Sequence, residues 1–134
     1  MIQTFTILGI PKAQGRPRFA RMGSFVKTYD PKDSRQYKDN VAAQIVAQQP
    51  VFCEGPLRVE LCFYLPRPKT LSKKVLHHTK KPDLDNLIKG TKDAMKGIVW
   101  RDDSQVVNLE AAKIYTETEP KVEIRVKEIK QKEG

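Results

Sequence analysis

Between positions 57 and 65, apolar and polar residues alternate without a fault: Leu57, Val59, Leu61, Phe63 and Leu65 against Arg58, Glu60, Cys62 and Tyr64. A period of two places the apolar set on one face, so this stretch predicts a strand with one side buried. A looser alternation over 2–9, with Phe5 and Ile7 on one side and Thr4, Thr6 and Leu8 on the other, predicts a first strand that Pro11 stops. Near the other end, a strand is expected from Val106 through Leu109 and Ala111 to about Thr116. Glu117-Thr118-Glu119-Pro120 then turns the chain, and Val122, Ile124 and Val126 alternate with Glu123, Arg125 and Lys127 in a closing strand. These last two strands are expected to form a hairpin. Two stretches instead carry the helical period. Tyr37, Val41, Ala42 and Ile45 form the inner stripe of a helix opened by Asp30-Pro31 and ended by Pro50. Leu84, Leu87, Ile88, Thr91, Ala94, Met95 and Ile98 form the stripe of a second, which Gly97 weakens near its end.

This order of elements predicts an α+β fold: a single small domain over 1–129, with a mixed or antiparallel sheet carrying two main helices. Residues 130–134 are expected to be a disordered basic tail. At 134 residues the chain suffices for one core, yet it lies near the size at which dimerisation helps.

Charge sharpens the picture. Lys and Arg total 25 against 16 Asp and Glu, a net +9 and a pI near 9.6. That balance nominates nucleic acid as the partner, while also fitting ribosomal and membrane-surface proteins. No apolar run approaches the ~20 residues that cross a bilayer. Met1-Ile2-Gln3-Thr4 has no charged-then-apolar leader, so a cytoplasmic protein with no membrane partner is expected. Cys53 and Cys62 lack C-x-x-C spacing, and both are expected to stay reduced in packing roles.

Two basic stretches suit a nucleic-acid backbone. Over 12–29, Arg16, Arg18, Arg21 and Lys27 interleave with Phe19, Phe25 and Tyr29 around a Met-Gly-Ser turn, a pattern that fits a DNA-contacting hairpin or an exposed loop whose aromatics tuck onto the core. Arg16 and Arg18 are the candidate phosphate contacts. The other stretch, 66–81, is a proline-bearing basic loop in which Lys80 and Lys81 immediately precede an acidic segment. His77 and His78, adjacent in that loop, are expected to be exposed.

The acidic segment runs from 81 to 107. Lys81-Pro82 keeps the chain extended, Asp83 suits the N-cap of the second helix, and Asp85 falls in its first turn, where the helix dipole favours an anion by ~0.3–1 kcal/mol. Lys89 lies one turn along the same flank, and Asp102-Asp103 follow the helix. Carboxylates brought together repel unless their pKa values rise or a cation sits between them. With only oxygen ligands and no Cys or His in the segment, a hard ion such as Mg2+ is favoured over zinc. Mg2+ with one or two carboxylates and a substrate phosphate is the usual arrangement for phosphoryl transfer, with a nearby lysine to steady developing charge. Taken singly, each acid has an ordinary reading as a cap or a solvated turn; their combination in a strongly basic chain favours a site.

The segment Asp83-Leu84-Asp85-Asn86-Leu87 with Lys89, followed after one helix by Asp102-Asp103-Ser104-Gln105-Val106, resembles the RusA family of Holliday-junction resolvases. The likeness is most specific over 81–107; Lys12, Arg16-Pro17-Arg18, Tyr29 and the helix after them extend it in outline over nearly the whole chain. The resemblance implies a homodimeric, Mg2+-dependent endodeoxyribonuclease that cuts paired strands of four-way junction DNA in recombination and repair. By motif position it implies Asp83, Asp85 and Asp103 as catalytic metal-binding carboxylates and Lys89 as the catalytic lysine. Asp102 matches the first acid of the family's pair. Two other readings of the residues stay open: a basic nucleic-acid-binding module without catalysis, and a metal-dependent nuclease or phosphatase acting on other substrates.

Overall fold

A computed structural model describes residues 1–13, 18–22, 25–29 and 32–130. The main sheet has four strands in the order β1-β6-β4-β5, where β1 is Ile2–Leu8, β4 Leu57–Pro66, β5 Val106–Thr116 and β6 Lys121–Glu128. β6 runs antiparallel to both β1 and β4, whereas β4 and β5 are parallel, so the sheet is mixed. The β2 (Arg18–Met22) and β3 (Phe25–Tyr29) strands pair antiparallel as a separate two-stranded sheet, as the 12–29 pattern suggested for a hairpin. Helices α1 (Lys32–Ala47) and α2 (Leu84–Met95) complete the α+β architecture. Arg16, the Asp30-Pro31 helix start and residues 131–134 of the expected tail lie outside the described residues.

Cross-strand register explains the core. Phe5 sits opposite Ile124, Ile124 opposite Leu61 and Leu61 opposite Ala111, so one row of apolar side chains crosses all four strands. Ile7, Val122 and Phe63 make the next row, all of them buried. Because the side-chain period is two, a one-residue slip of any strand would turn its apolar set out to water. The helices cover this face with Val41 and Ile45 from α1 and Leu87, Ala94 and Met95 from α2, all buried. Trp100 and Val99, just past α2, close the same cluster.

The hairpin expected between the last two strands does not form: β4 lies between β5 and β6. Two strand spacings come to ~9.6 Å, and the four residues 117–120 can span ~13 Å, so the short connection reaches over an intervening strand. Burial decides which strand takes the middle. Leu57, Val59, Leu61, Phe63 and Leu65 are all buried on β4, while on β5 only Tyr115 is buried, which suits an edge. The first strand meets the edge problem differently. Gln44 of α1 accepts from the Leu8 amide at 2.8 Å and donates to the Leu8 carbonyl at 2.9 Å; Gln48 does the same for Thr6 at 3.1 and 2.9 Å. The two side-chain amides stand in for a neighbouring strand along β1.

The 66–81 loop is pinned rather than free. Arg67 donates from Nη1 to the carbonyls of Ser72 at 2.7 Å and Val75 at 2.5 Å, lies over the Tyr115 ring at 5.2 Å, and pairs through Nε with Glu117 at 3.3 Å. Leu76 and His78 bond the β5 backbone at Tyr115 and Lys113. Contrary to expectation His78 is half-buried, its ring 4.7 Å from that of Tyr115, while His77 is exposed. Burial, with Lys113 close by, holds the His78 imidazole below its usual pKa. At the far end of the loop, Lys113 Nζ donates to the carbonyls of Lys80 at 2.6 Å and Pro82 at 2.8 Å; the Lys81–Pro82 peptide is cis. Cys53 is buried, Cys62 half-buried, and both are free thiols. No helix among the described residues is long and apolar enough to cross a membrane.

Candidate active site

The loop delivers the chain to α2 at Asp83, which holds the N-cap position with φ −70 and ψ 144. Its side chain makes no capping hydrogen bond and is exposed, so the position matches expectation but the carboxylate is not spent on the helix. Asp85 follows in the first turn, also exposed. Lys89 and Asp93 continue along the same flank at four-residue intervals, and Lys89 Nζ lies 3.3 Å from Asp93 Oδ2. An exposed i,i+4 pair of this kind contributes only ~0.3–0.5 kcal/mol, so a phosphate in the cleft competes with it easily.

At the other end α2 stops after Met95, and Gly97 at φ +85 reverses the chain, a backbone conformation that side chains other than glycine's rarely adopt. The N–H of Gly97 bonds the Trp100 carbonyl at 2.6 Å, and Val99 accepts from the Cys53 amide at 2.8 Å. The chain then enters a short 3-10 turn, Asp103–Gln105. Asp102 caps it, accepting from the Ser104 amide at 3.0 Å, and these Ser104 hydrogen bonds hold the Asp102 carboxyl below the usual carboxylate range. Gln105 uses its whole amide: Oε1 accepts from the N–H groups of Arg101 and Asp102, both at 2.9 Å, and Nε2 donates to the carbonyls of Cys53 at 3.0 Å and Gly55 at 3.1 Å. Asp103 is half-buried, and its Oδ1 accepts from Trp100 Nε1 at 2.8 Å.

Together these elements form an open cleft of about 290 Å3 lined by Asp85, Ile88, Lys89, Lys92, Asp93 and Asp103. Asp85, Asp103 and Lys89, which the sequence placed in one site, thus share one hollow. Asp83 and Asp102 are not among its lining residues. Lys92 and Asp93 are, and sequence reasoning missed both; their spacing from Lys89 on the same helix was the available signal. Among the described residues no three His, Cys, Asp or Glu side chains form a ready metal cage. With Asp93 paired to Lys89, the Asp85 and Asp103 carboxylates in one open cleft nevertheless fit Mg2+, which keeps several waters and takes one or two carboxylates besides substrate phosphate. A larger hollow, about 510 Å3, lies on the helix-free face of the sheet around Thr4, Thr6, Cys62 and Ala112. Of its three carboxylates Glu60 and Glu110 already pair with Arg58 at 3.1 and 3.0 Å and Glu123 with Lys121 at 3.4 Å, so it lacks the uncompensated acids of the cleft.

Lys80 and Lys81 are exposed just ahead of Asp83, and Arg18 opens β2. Residues 9–127 match the family model for endodeoxyribonuclease RusA. Over 125 aligned residues the chain is 31% identical to the crossover junction endodeoxyribonuclease rusA of Lactococcus phage r1t, covering 90% of this chain and 86% of the relative. It is also 39% identical over 136 residues to the uncharacterized protein YqaN of Bacillus subtilis (strain 168), covering 93% of this chain and 95% of that protein. Between them the family model and the phage nuclease span nearly all of this fold, the acidic cleft included, and the chain therefore belongs to the RusA family of endodeoxyribonucleases.

Proposed function

We propose that this nuclease resolves four-way DNA junctions as a Mg2+-dependent homodimer, with Asp83, Asp85, Asp103 and Lys89 as its catalytic group. The observation that carries the reading is the shared cleft: Asp85 from the start of α2 and Asp103 from the turn beyond its end face one hollow with the Lys89 ammonium between charged neighbours. Asp85 and Asp103 would hold the cation; Asp83, exposed and uncommitted at the helix N-cap two residues before Asp85, would be the third acid. A bound Mg2+ would supply Lewis-acid polarisation of the phosphodiester and would favour loss of a proton from a coordinated water, making it a better nucleophile. Lys89 leaves its weak pairing with Asp93 to neutralise charge that develops on the phosphate. Arg16, Arg18, Lys80 and Lys81 contact the sugar-phosphate backbone and fix the substrate's position without reading sequence. Paired nicks need two such sites at a fixed separation, which a two-fold dimer provides.

The test is cleavage of a synthetic four-way junction, a flap and a linear duplex, each with Mg2+ or with EDTA. Preferential, EDTA-sensitive cutting of the junction is expected. Equal or better cutting of the flap would move the substrate to other branched DNA. In the same assay Asp85→Asn should lose cleavage by about 100-fold or more, on the scale of losing an essential charge-stabilising group, while junction binding stays equal or tightens as a negative charge near phosphates is removed. Mg2+-dependent cutting by that variant at the wild-type rate would remove Asp85 from the site.

A further inference from the structure

Asp103 differs from the other acids of the cleft in being held by a group from the core. Trp100 is fully buried, and a buried indole N–H needs an acceptor. Here the acceptor is Asp103 Oδ1 at 2.8 Å, on a carboxylate that lines the cleft. The backbone of the same turn is fixed by other means: two Gln105 amide bonds, to Cys53 and Gly55, and the Cys53 to Val99 hydrogen bond strap 99–105 to the segment 53–55, while the other two Gln105 bonds close the turn on Arg101 and Asp102. The indole bond therefore adds orientation of one side chain. It occupies one carboxylate oxygen from the protein side.

We propose that Trp100 is a positioning residue for the nuclease site, its buried indole N–H holding the Asp103 carboxylate at the cleft in the orientation that receives a divalent cation. The inference rests on the reading of Asp103 as a metal-binding acid. Outer partners that orient a ligating carboxylate commonly affect metal affinity, so the expected signature is in Mg2+ dependence rather than in fold.

Trp100 is the chain's single tryptophan, which makes the wild-type protein its own reporter. Adding Mg2+ to the full chain without DNA should change the tryptophan emission saturably, at the concentration at which calorimetry records binding. The Trp100→Phe variant, which keeps an aromatic in the core but removes the donor, should need about tenfold more Mg2+ for half-maximal cleavage. Its turnover at saturating Mg2+ should be largely restored. Val41→Ala, a core change on α1 away from the cleft, controls for mere destabilisation and should leave the Mg2+ dependence where it is. A folded Trp100→Phe protein with wild-type Mg2+ dependence overturns the inference alone. So does a flat emission while calorimetry shows Mg2+ bound, and that measurement decides the matter if the variant does not fold. A wild-type chain that neither binds Mg2+ nor cuts junctions overturns the nuclease reading and this inference together.

Discussion

Asp102 and Asp103 are neighbours in the chain, yet one accepts from the Ser104 amide as a cap and the other from the Trp100 indole at the cleft. Their sequence, two acids before Ser104-Gln105, does not distinguish them. What separates the roles is which side chain finds a donor within its own turn and which finds one from the core. The same distinction applies to Lys113, whose charge in sequence looks like one more solvated lysine. In the fold it bonds the carbonyls of Lys80 and Pro82 at 2.6 and 2.8 Å and so fixes the chain one residue before Asp83. Hydrogen bonds to a charged donor are stronger than neutral ones, and Lys113→Met should cost about 1–3 kcal/mol of stability in urea unfolding. Cleavage should fall more than binding, because the loosened segment leads directly into Asp83. His78 gives a prediction in pH. Its folded pKa is depressed, so the unfolded chain binds the proton more readily, and native stability falls as pH drops through the ordinary value of 6.5, levelling off below the folded pKa. His78→Phe should keep the contact with Tyr115 and flatten the melting temperature between pH 7 and 5. A variant whose melting temperature falls as steeply as the wild type's would assign that pH dependence to other groups.

Patterns confined to one element were legible in the sequence, and relations between elements were not. The unbroken alternation of β4 and the apolar stripe of α2 appear in the structure with Leu57, Val59, Leu61, Phe63, Leu65, Leu87 and Met95 buried as read. The order of strands was missed because a turn after β5 is compatible both with pairing to β6 and with passing over β4. Only the competition between two apolar faces for the centre decides that. The stretch 66–81 read only as a basic loop, and its pinning was not legible because its anchors, Tyr115 and Glu117, lie far along the chain. The cleft was legible in Asp85, Lys89 and Asp103, whose motif spacing reflects one helix between two acidic ends, whereas Trp100 gave only an aromatic beside an acid pair. Glutamines on α1 were equally silent, since nothing in a polar helix face announces that it will bond a strand backbone. Gln44 and Gln48 place four hydrogen bonds on Leu8 and Thr6. Partly wet bonds of this kind contribute at the lower end of ~0.5–1.5 kcal/mol each, so the Gln44→Ala, Gln48→Ala double variant should lose about 2 kcal/mol. It also uncovers the edge of β1, and light scattering at raised concentration should show association that the wild type lacks. Unchanged unfolding and scattering together would mean that water replaces the glutamines at no cost.

At the scale of the molecule, a chain of net charge +9 carries a cleft lined by the carboxylates of Asp85, Asp93 and Asp103. Under the proposed function the two signs would serve different steps: acids that would hold a cation oppose DNA binding, and the surrounding lysines and arginines would more than offset them. This predicts that binding and cutting separate by mutation. Lys80 and Lys81 are exposed at the end of a loop whose path is fixed by Arg67, His78 and Lys113, so their positions relative to Asp83 are set by the fold rather than by chance encounter. If each neutralises one phosphate, the Lys80→Ala, Lys81→Ala variant should bind four-way junctions more weakly, most visibly at low salt. The slope of log K against log salt should become shallower by about 2, close to 0.9 per phosphate contact. The loss should be the same for junctions of different base sequence, since backbone contacts carry no base information. Binding isotherms at several salt concentrations, made in EDTA to prevent cutting, measure both quantities at once. A double variant with the wild-type slope would place Lys80 and Lys81 outside the DNA contact and leave phosphate binding to the arginines of 16–21 and the remaining lysines of the loop.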